Sequence, residues 1–100
     1  MIARLWRGRT PASRADEYFE YLQQTGLKDS RNTSGNQGVY ILRRLKDGEA
    51  EFLFMSLWES IAAIKQFAGD DYEKARYYPA DKDFLLEMEP TVSHYEVLAK

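Results

Sequence analysis

The sequence has no cysteine, a single histidine and only three prolines among its 100 residues. Without cysteine there is no disulfide, no thiol nucleophile and no thiolate ligand, and the expected compartment is the cytoplasm. One histidine and scattered acids offer none of the ligand spacings of a metal centre, so no metal site is expected. Charge of one sign is also lacking: 14 Lys and Arg stand against 16 Asp and Glu, for a formal net charge of −2. That leaves no broad basic field for nucleic acid or an anionic membrane surface. No apolar run approaches the roughly 20 residues that a membrane span needs. Arg4, Arg7 and Arg9 interrupt the first apolar run, so no signal peptide is expected. Gly35 and Gly38 do not lead from a strand into a helix with the spacing of a phosphate loop. No serine occupies a nucleophile elbow, so a Ser-His-Asp hydrolase finds no support.

A chain of this length makes a single domain, 1–100, with a small core that oligomerisation would help. The residues that organise it are Glu51–Ala68, EFLFMSLWESIAAIKQFA. Every residue from Phe52 to Trp58 except Ser56 is apolar, so neither face reads as wet, whereas a strand with one solvated face should alternate. Phe52, Phe54 and Trp58 should face one layer and Leu53, Met55 and Leu57 another. Helices from this chain can cover one face. The chain is too short for a second layer, which implies a partner subunit. After Trp58 the period changes: Ser60 caps a helix carrying Ile61, Ile64, Phe67 and Ala68 on one face, and Gly69 ends it.

The other elements follow from the same signals. Met1–Arg9 reads as a strand with Ile2, Arg4, Trp6 and Gly8 on one face. Thr10 and Pro11 should begin a helix that Gly26 stops, and the polar stretch Lys28–Gln37 should be a long loop of roughly ten residues. Gly38–Lys46 is a strand joined by the Asp47-Gly48 turn to the third strand. Asp70 with Glu73 should cap a short helix that Pro79 ends, Asp81–Leu86 one more turn, and Thr91–Leu98 the last strand. The order β-α-β-β-α-β is the ferredoxin-like α+β arrangement, a four-stranded antiparallel sheet with helices on one face.

Leu57-Trp58-Glu59-Ser60, followed by Ala62, Ala63 and Phe67, forms a W-E-S-x-x-A pattern at the strand-to-helix junction. With the start MIARLWRG, the Asp47-Gly48 hairpin and the late His94-Tyr95-Glu96-Val97, the chain resembles the antibiotic biosynthesis monooxygenase family of dimeric α+β barrels. The resemblance implies a homodimer with a pocket in each protomer between sheet and helices. It implies a small aromatic ligand, such as a quinol or anthrone, and oxygenation without a cofactor. A ligand-binding or structural barrel without turnover is the alternative. Haem-degrading members carry a histidine in or just beyond the second helix and an asparagine in the first strand. Both are absent here, so haem ranks below.

Six residues are candidates for the site. His94, the one imidazole, suits a general base that removes a phenolic or enolic proton. Trp58 suits a pocket wall stacking on a flat ligand. Arg76, Tyr77 and Tyr78 fall where a pocket mouth would be, and Tyr40 is a further aromatic contact for substrate. Arg4, Arg43 and Arg44 lie within strands. Any of them that faced a pocket could hold an anion, although such arginines more often pair with carboxylates.

Overall fold

A computed structural model describes residues 1–100. Four strands, β1 (Ile2–Pro11), β2 (Asn36–Lys46), β3 (Glu49–Trp58) and β4 (Ser93–Glu96), form one antiparallel sheet in the order β2-β3-β1-β4. The helices α1 (Ala15–Leu22), α2 (Lys28–Arg31), α3 (Ile61–Ala68) and α4 (Asp81–Phe84) complete the ferredoxin-like α+β fold. No helix is long and apolar enough to cross a membrane.

β3 is central, flanked by β2 on one side and β1 on the other. Its alternate residues Ala50, Phe52, Phe54, Ser56 and Trp58 are all buried. They face the helical layer, where Tyr18 of α1 meets the Phe52 ring edge-on with centroids 5.3 Å apart and Phe84 of α4 packs on Tyr18. A second cluster joins Trp58 to Ala63 and Ile64 of α3, whose first turn is capped by the Ser60 hydroxyl accepting from the Ala63 N–H. The turn between β2 and β3 has Asp47 and Gly48 at positive φ, 54° and 78°, as a two-residue hairpin requires.

The opposite face of the sheet carries no helix. Register places Tyr40, Met55 and Leu5 in one row across it, and Leu42, Leu53 and Arg7 in the next. Tyr40 is 56 % and Leu42 48 % exposed, and Tyr95 on β4 is 58 % exposed.

Four sequence expectations are corrected. Thr10 and Pro11 do not start a helix: they end β1, paired with Ala50 and Glu49, and the first helical turn begins at Ala12. The proline is tolerated because β4 pairs only with Ile2–Leu5, leaving no strand beside the far half of β1 to require its missing N–H. Gly26 does not stop α1. A wider π-type turn, Gln23–Leu27, carries the chain on into α2, and Gly26 sits where an added β-carbon would lie 3.5 Å from the Phe54 ring. The polar stretch after it is therefore no ten-residue loop. Ser30 is fully buried, and Asp29 is held by Arg76 and Tyr78 from the far end of the chain. Those long-range bonds override a turn-rich composition. Asp70–Arg76, finally, forms no helix. The chain there pairs with the approach to β4, with a bridge between Lys74 and Thr91 and hydrogen bonds Ala75 N–H to Pro90 O and Val92 N–H to Glu73 O. The last strand is correspondingly short.

Phe52 has no exposed surface. Phe52→Ala should cost about 3–5 kcal/mol in urea denaturation. A loss below about 1 kcal/mol would contradict its place at the centre of the core.

Candidate functional site

The helix-facing side of β1 and β3 is roofed by two different pieces of chain. Helices α1 and α3 cover part of it, and the segment between α3 and β4 covers the rest. Where they meet, a cleft of ≈ 50 Å³ is lined by Arg4 and Trp6 of β1, Phe54 of β3, Phe67 of α3, Tyr18 of α1, and Arg76, Tyr77, Tyr78 and Asp81. That volume holds a few waters or part of one small ring compound. Pockets for drug-sized ligands run to roughly 300–1,000 Å³.

Each wall is fixed by identifiable bonds. The Trp6 indole lies over its own strand, so close to Gly8 that an added β-carbon would overlap the ring. Its Nε1–H donates to the Tyr77 hydroxyl at 3.2 Å, and that hydroxyl donates to the Glu89 carbonyl at 2.6 Å. The Tyr78 hydroxyl donates to Asp29 at 2.7 Å. Arg76 bonds the Phe67 carbonyl and Asp29, and its guanidinium lies 4.8 Å from the Phe67 ring centroid. The segment before β4 is thus tied to β1, α2 and α3, which holds its aromatic residues in place.

Asp81 is 3 % exposed. One carboxylate oxygen accepts the Tyr18 hydroxyl at 2.9 Å, the other the Tyr78 N–H at 2.6 Å. Burial raises its pKa, while the two hydrogen bonds oppose the rise. Burial and the neighbouring carboxylate push the Tyr18 hydroxyl well above its ordinary value. The pair is a carboxylate of increased basicity in an aromatic cleft, with tyrosine as its donor.

Arg4 is 4 % exposed. Its guanidinium donates to the carbonyls of Tyr72 and Lys74 and meets His94 Nε2 at 3.2 Å. His94 stands directly across from Arg4 in the β1–β4 register, with the Tyr72 ring edge-on at 5.2 Å. Burial first, and then Arg4, lower the imidazole pKa, with Glu73 opposing. His94 is therefore neutral at neutral pH, and its Nε2 accepts from Arg4.

The six residues singled out from the sequence separate. Arg76, Tyr77 and Tyr78 line the cleft. His94 lies behind Arg4 and does not line it. Trp58 is fully buried, donates to the Ser56 hydroxyl at 2.8 Å, and packs against Phe67, 5.6 Å between centroids, so that it backs a cleft wall without forming one. Tyr40 points from the opposite, helix-free face, in register with Met55. The in-strand arginines also divide. Arg43 pairs with Asp16 and Arg44 with Glu51, whereas Arg4 meets no carboxylate. Trp6, Tyr18, Phe67 and Asp81 were not singled out as cleft residues by the sequence reading. Their positions in the chain share no short motif, and only the fold brings them together.

The sequence model described as antibiotic biosynthesis monooxygenase matches residues 1–75. Among solved structures, the haem-degrader MhuD from Mycobacterium tuberculosis, with two haems in its active site, is 19 % identical with a TM-score of 0.65, over 100 % of this chain and 98 % of that one. A putative antibiotic biosynthesis monooxygenase from Bacillus cereus is 19 % identical with a TM-score of 0.63, over 99 % and 94 %. Rv0793 from Mycobacterium tuberculosis is 16 % identical with a TM-score of 0.61, over 99 % and 96 %. No curated protein matches the chain.

The depressed His94 pKa has a definite sign. The unfolded chain binds a proton near pH 6.5 and the folded chain only at lower pH, so stability is fully present above about 6.5 and falls as the pH drops through the lowered folded value. His94→Gln keeps an acceptor for Arg4 and removes the titration. Urea denaturation should show a shallower loss of stability below pH 6.5 in the variant than in the parent. Equal slopes would contradict the buried contact with Arg4.

Proposed function

Because the chain belongs to the antibiotic biosynthesis monooxygenase family, we propose that its cleft binds a small aromatic hydroxyl compound of the quinol or anthrone type and oxygenates it without a cofactor. The observation that supports this most is the composition of the cleft: six aromatic side chains and a hydrogen-bonded roof around one basic carboxylate and two guanidiniums. Aromatic walls suit a flat ring. The carboxylate suits removal of the proton that turns such a ring into an electron-rich anion. The guanidiniums suit the negative charge that then develops on oxygen.

The reaction balances with dioxygen alone. At an anthrone-type methylene, proton removal gives the enolate, which reduces dioxygen. One oxygen atom ends as the ring carbonyl, the other leaves as water with the two hydrogens, and the substrate supplies all four electrons. In this reading Asp81 accepts the proton. His94, assigned that role from the sequence, acts on the site through Arg4. Trp58 supports Phe67, and Arg76, Tyr77 and Tyr78 keep their assigned place at the ligand.

Haem is a poor fit. The one imidazole has its Nε2 against a guanidinium, and the Tyr77 and Tyr78 hydroxyls are already committed. Neither the imidazole nor any tyrosine hydroxyl of the cleft is left free to ligate iron.

The reading includes a homodimer, with Leu5, Tyr40, Leu42, Leu53 and Met55 meeting their copies across the helix-free sheet face. An unpaired apolar sheet face of this kind is an interaction surface. The compartment in this reading is the cytoplasm.

Two measurements test the proposal. Oxygen uptake with a panel of anthrones and quinols should be measurable in the parent and fall about 10²–10⁴-fold in Asp81→Asn, the range for a lost general base. His94→Gln should change it less than about 10-fold. A large loss in His94→Gln with unchanged turnover in Asp81→Asn would return the base to His94. No uptake across the panel would leave ligand binding without turnover as the function. Separately, the parent should sediment at twice the chain mass at micromolar concentration and Met55→Lys should sediment as a monomer. A monomeric parent would contradict the proposed interface.

A further inference from the structure

Arg4 is a buried cation without a counter-ion. Eight ion pairs join side chains of the protein, and Arg4 belongs to none of them. Its three acceptors, the Tyr72 carbonyl, the Lys74 carbonyl and the imidazole of His94, are all uncharged. A guanidinium has five N–H donors, so these contacts orient the group and leave it short of both charge and acceptors. The cost of this environment is visible in its acidity: burial, and then the neighbouring Arg76, bring its pKa down to about 10. Buried charges are ordinarily paired, because an unpaired one keeps its desolvation penalty.

Nothing else in the cleft supplies the missing anion. Asp81 has its two oxygens committed to Tyr18 and to the Tyr78 N–H. Asp29 belongs to Arg76 and Tyr78. The second guanidinium at the cleft, Arg76, adds to the positive field and is what further depresses Arg4. The Phe67 ring lies beneath both cations, 5.9 Å from Arg4 and 4.8 Å from Arg76. The cleft is therefore polarised. Its aromatic surface leads to a cation already turned and held for an acceptor that the protein does not provide.

We infer that Arg4 is the anchor for a carboxylate on the ligand, so that the compound taken by this cleft is an aromatic acid whose carboxylate completes the ion pair Arg4 lacks, with His94 as the positioning residue that holds the guanidinium. A planar carboxylate accepts two parallel bonds from a guanidinium, and it would leave the ring against Trp6, Phe67 and Tyr77. The inference rests on the cleft being the ligand site, as proposed above, and narrows the class of compound.

The test is a calorimetric titration of the full-length protein with salicylate and with salicylamide, which has the same ring and hydroxyl and no charge. Salicylate should bind at least about 10-fold more tightly, since charge-assisted bonds are roughly twice as strong as neutral ones. The preference should weaken with added salt. Arg4→Met should abolish it. Equal affinity for the two compounds in the parent overturns the carboxylate anchor and leaves the cleft as a site for neutral aromatics. Persistence of the preference in a folded Arg4→Met variant also overturns it. Binding of neither compound overturns the cleft itself as the ligand site. Should Arg4→Met fail to fold, the comparison in the parent decides alone.

Discussion

Everything in this protein is arranged around a strand that cannot tolerate water on its helix-facing side and has apolar residues on the other. β3 lies inside the sheet, and its alternate residues from Ala50 to Trp58 are buried under helices. A single layer of side chains from α1, α3 and α4 closes over them. The layer is incomplete. α1 and α3 sit over different parts of the sheet, each with its own buried cluster, and the space between them is the cleft. The candidate site is thus a consequence of how two short helices share one sheet face.

What closes that space into a lined cleft is the segment that follows α3. It has little regular structure, and polar bonds locate it: Arg4 to two of its carbonyls, Trp6 to Tyr77, Tyr78 to Asp29, and Tyr18 to Asp81. Each of these bonds spans more than forty positions in the chain. Arg4 has two tasks as a result. It closes the segment onto β1 and presents its charge to the cleft. In the same way Asp81 orders the turn at Tyr78 and offers a basic oxygen among aromatic rings. Groups that hold the fold together here are also the groups to which chemistry is proposed, so their variants must be read in stability and in function together.

The legible part of this architecture was the part set by local signals. The Asp47-Gly48 turn, the Ser60 cap and the two-sided strand at Phe52–Trp58 each have a near-neighbour cause, and they delivered the strand order and the helix-covered face. Long-range bonds defeated the reading elsewhere. Lys28–Gln37 looks like a loop because its residues are polar, yet Asp29 and Ser30 are fixed by tertiary contacts. Asp70 and Glu73 look like a helix start, yet the backbone at Glu73 and Ala75 pairs with Val92 and Pro90. The lining of the candidate cleft was half legible for the same reason. Arg76, Tyr77 and Tyr78 are consecutive and aromatic-rich. Trp6, Phe67 and Asp81 converge from distant positions. Among the in-strand arginines, only the fold could separate Arg4 from Arg43 and Arg44, because the difference lies in whether a carboxylate stands opposite.

The claim on which the account depends is that a small aromatic ligand occupies the space between β1, α3 and the segment before β4. A crystal structure of the protein soaked with salicylate tests it directly. The account predicts the ring against Trp6, Phe67 and Tyr77, with its carboxylate on the Arg4 guanidinium. A ligand bound on the helix-free face, beside Tyr40 and Met55, with the cleft unchanged, would contradict it.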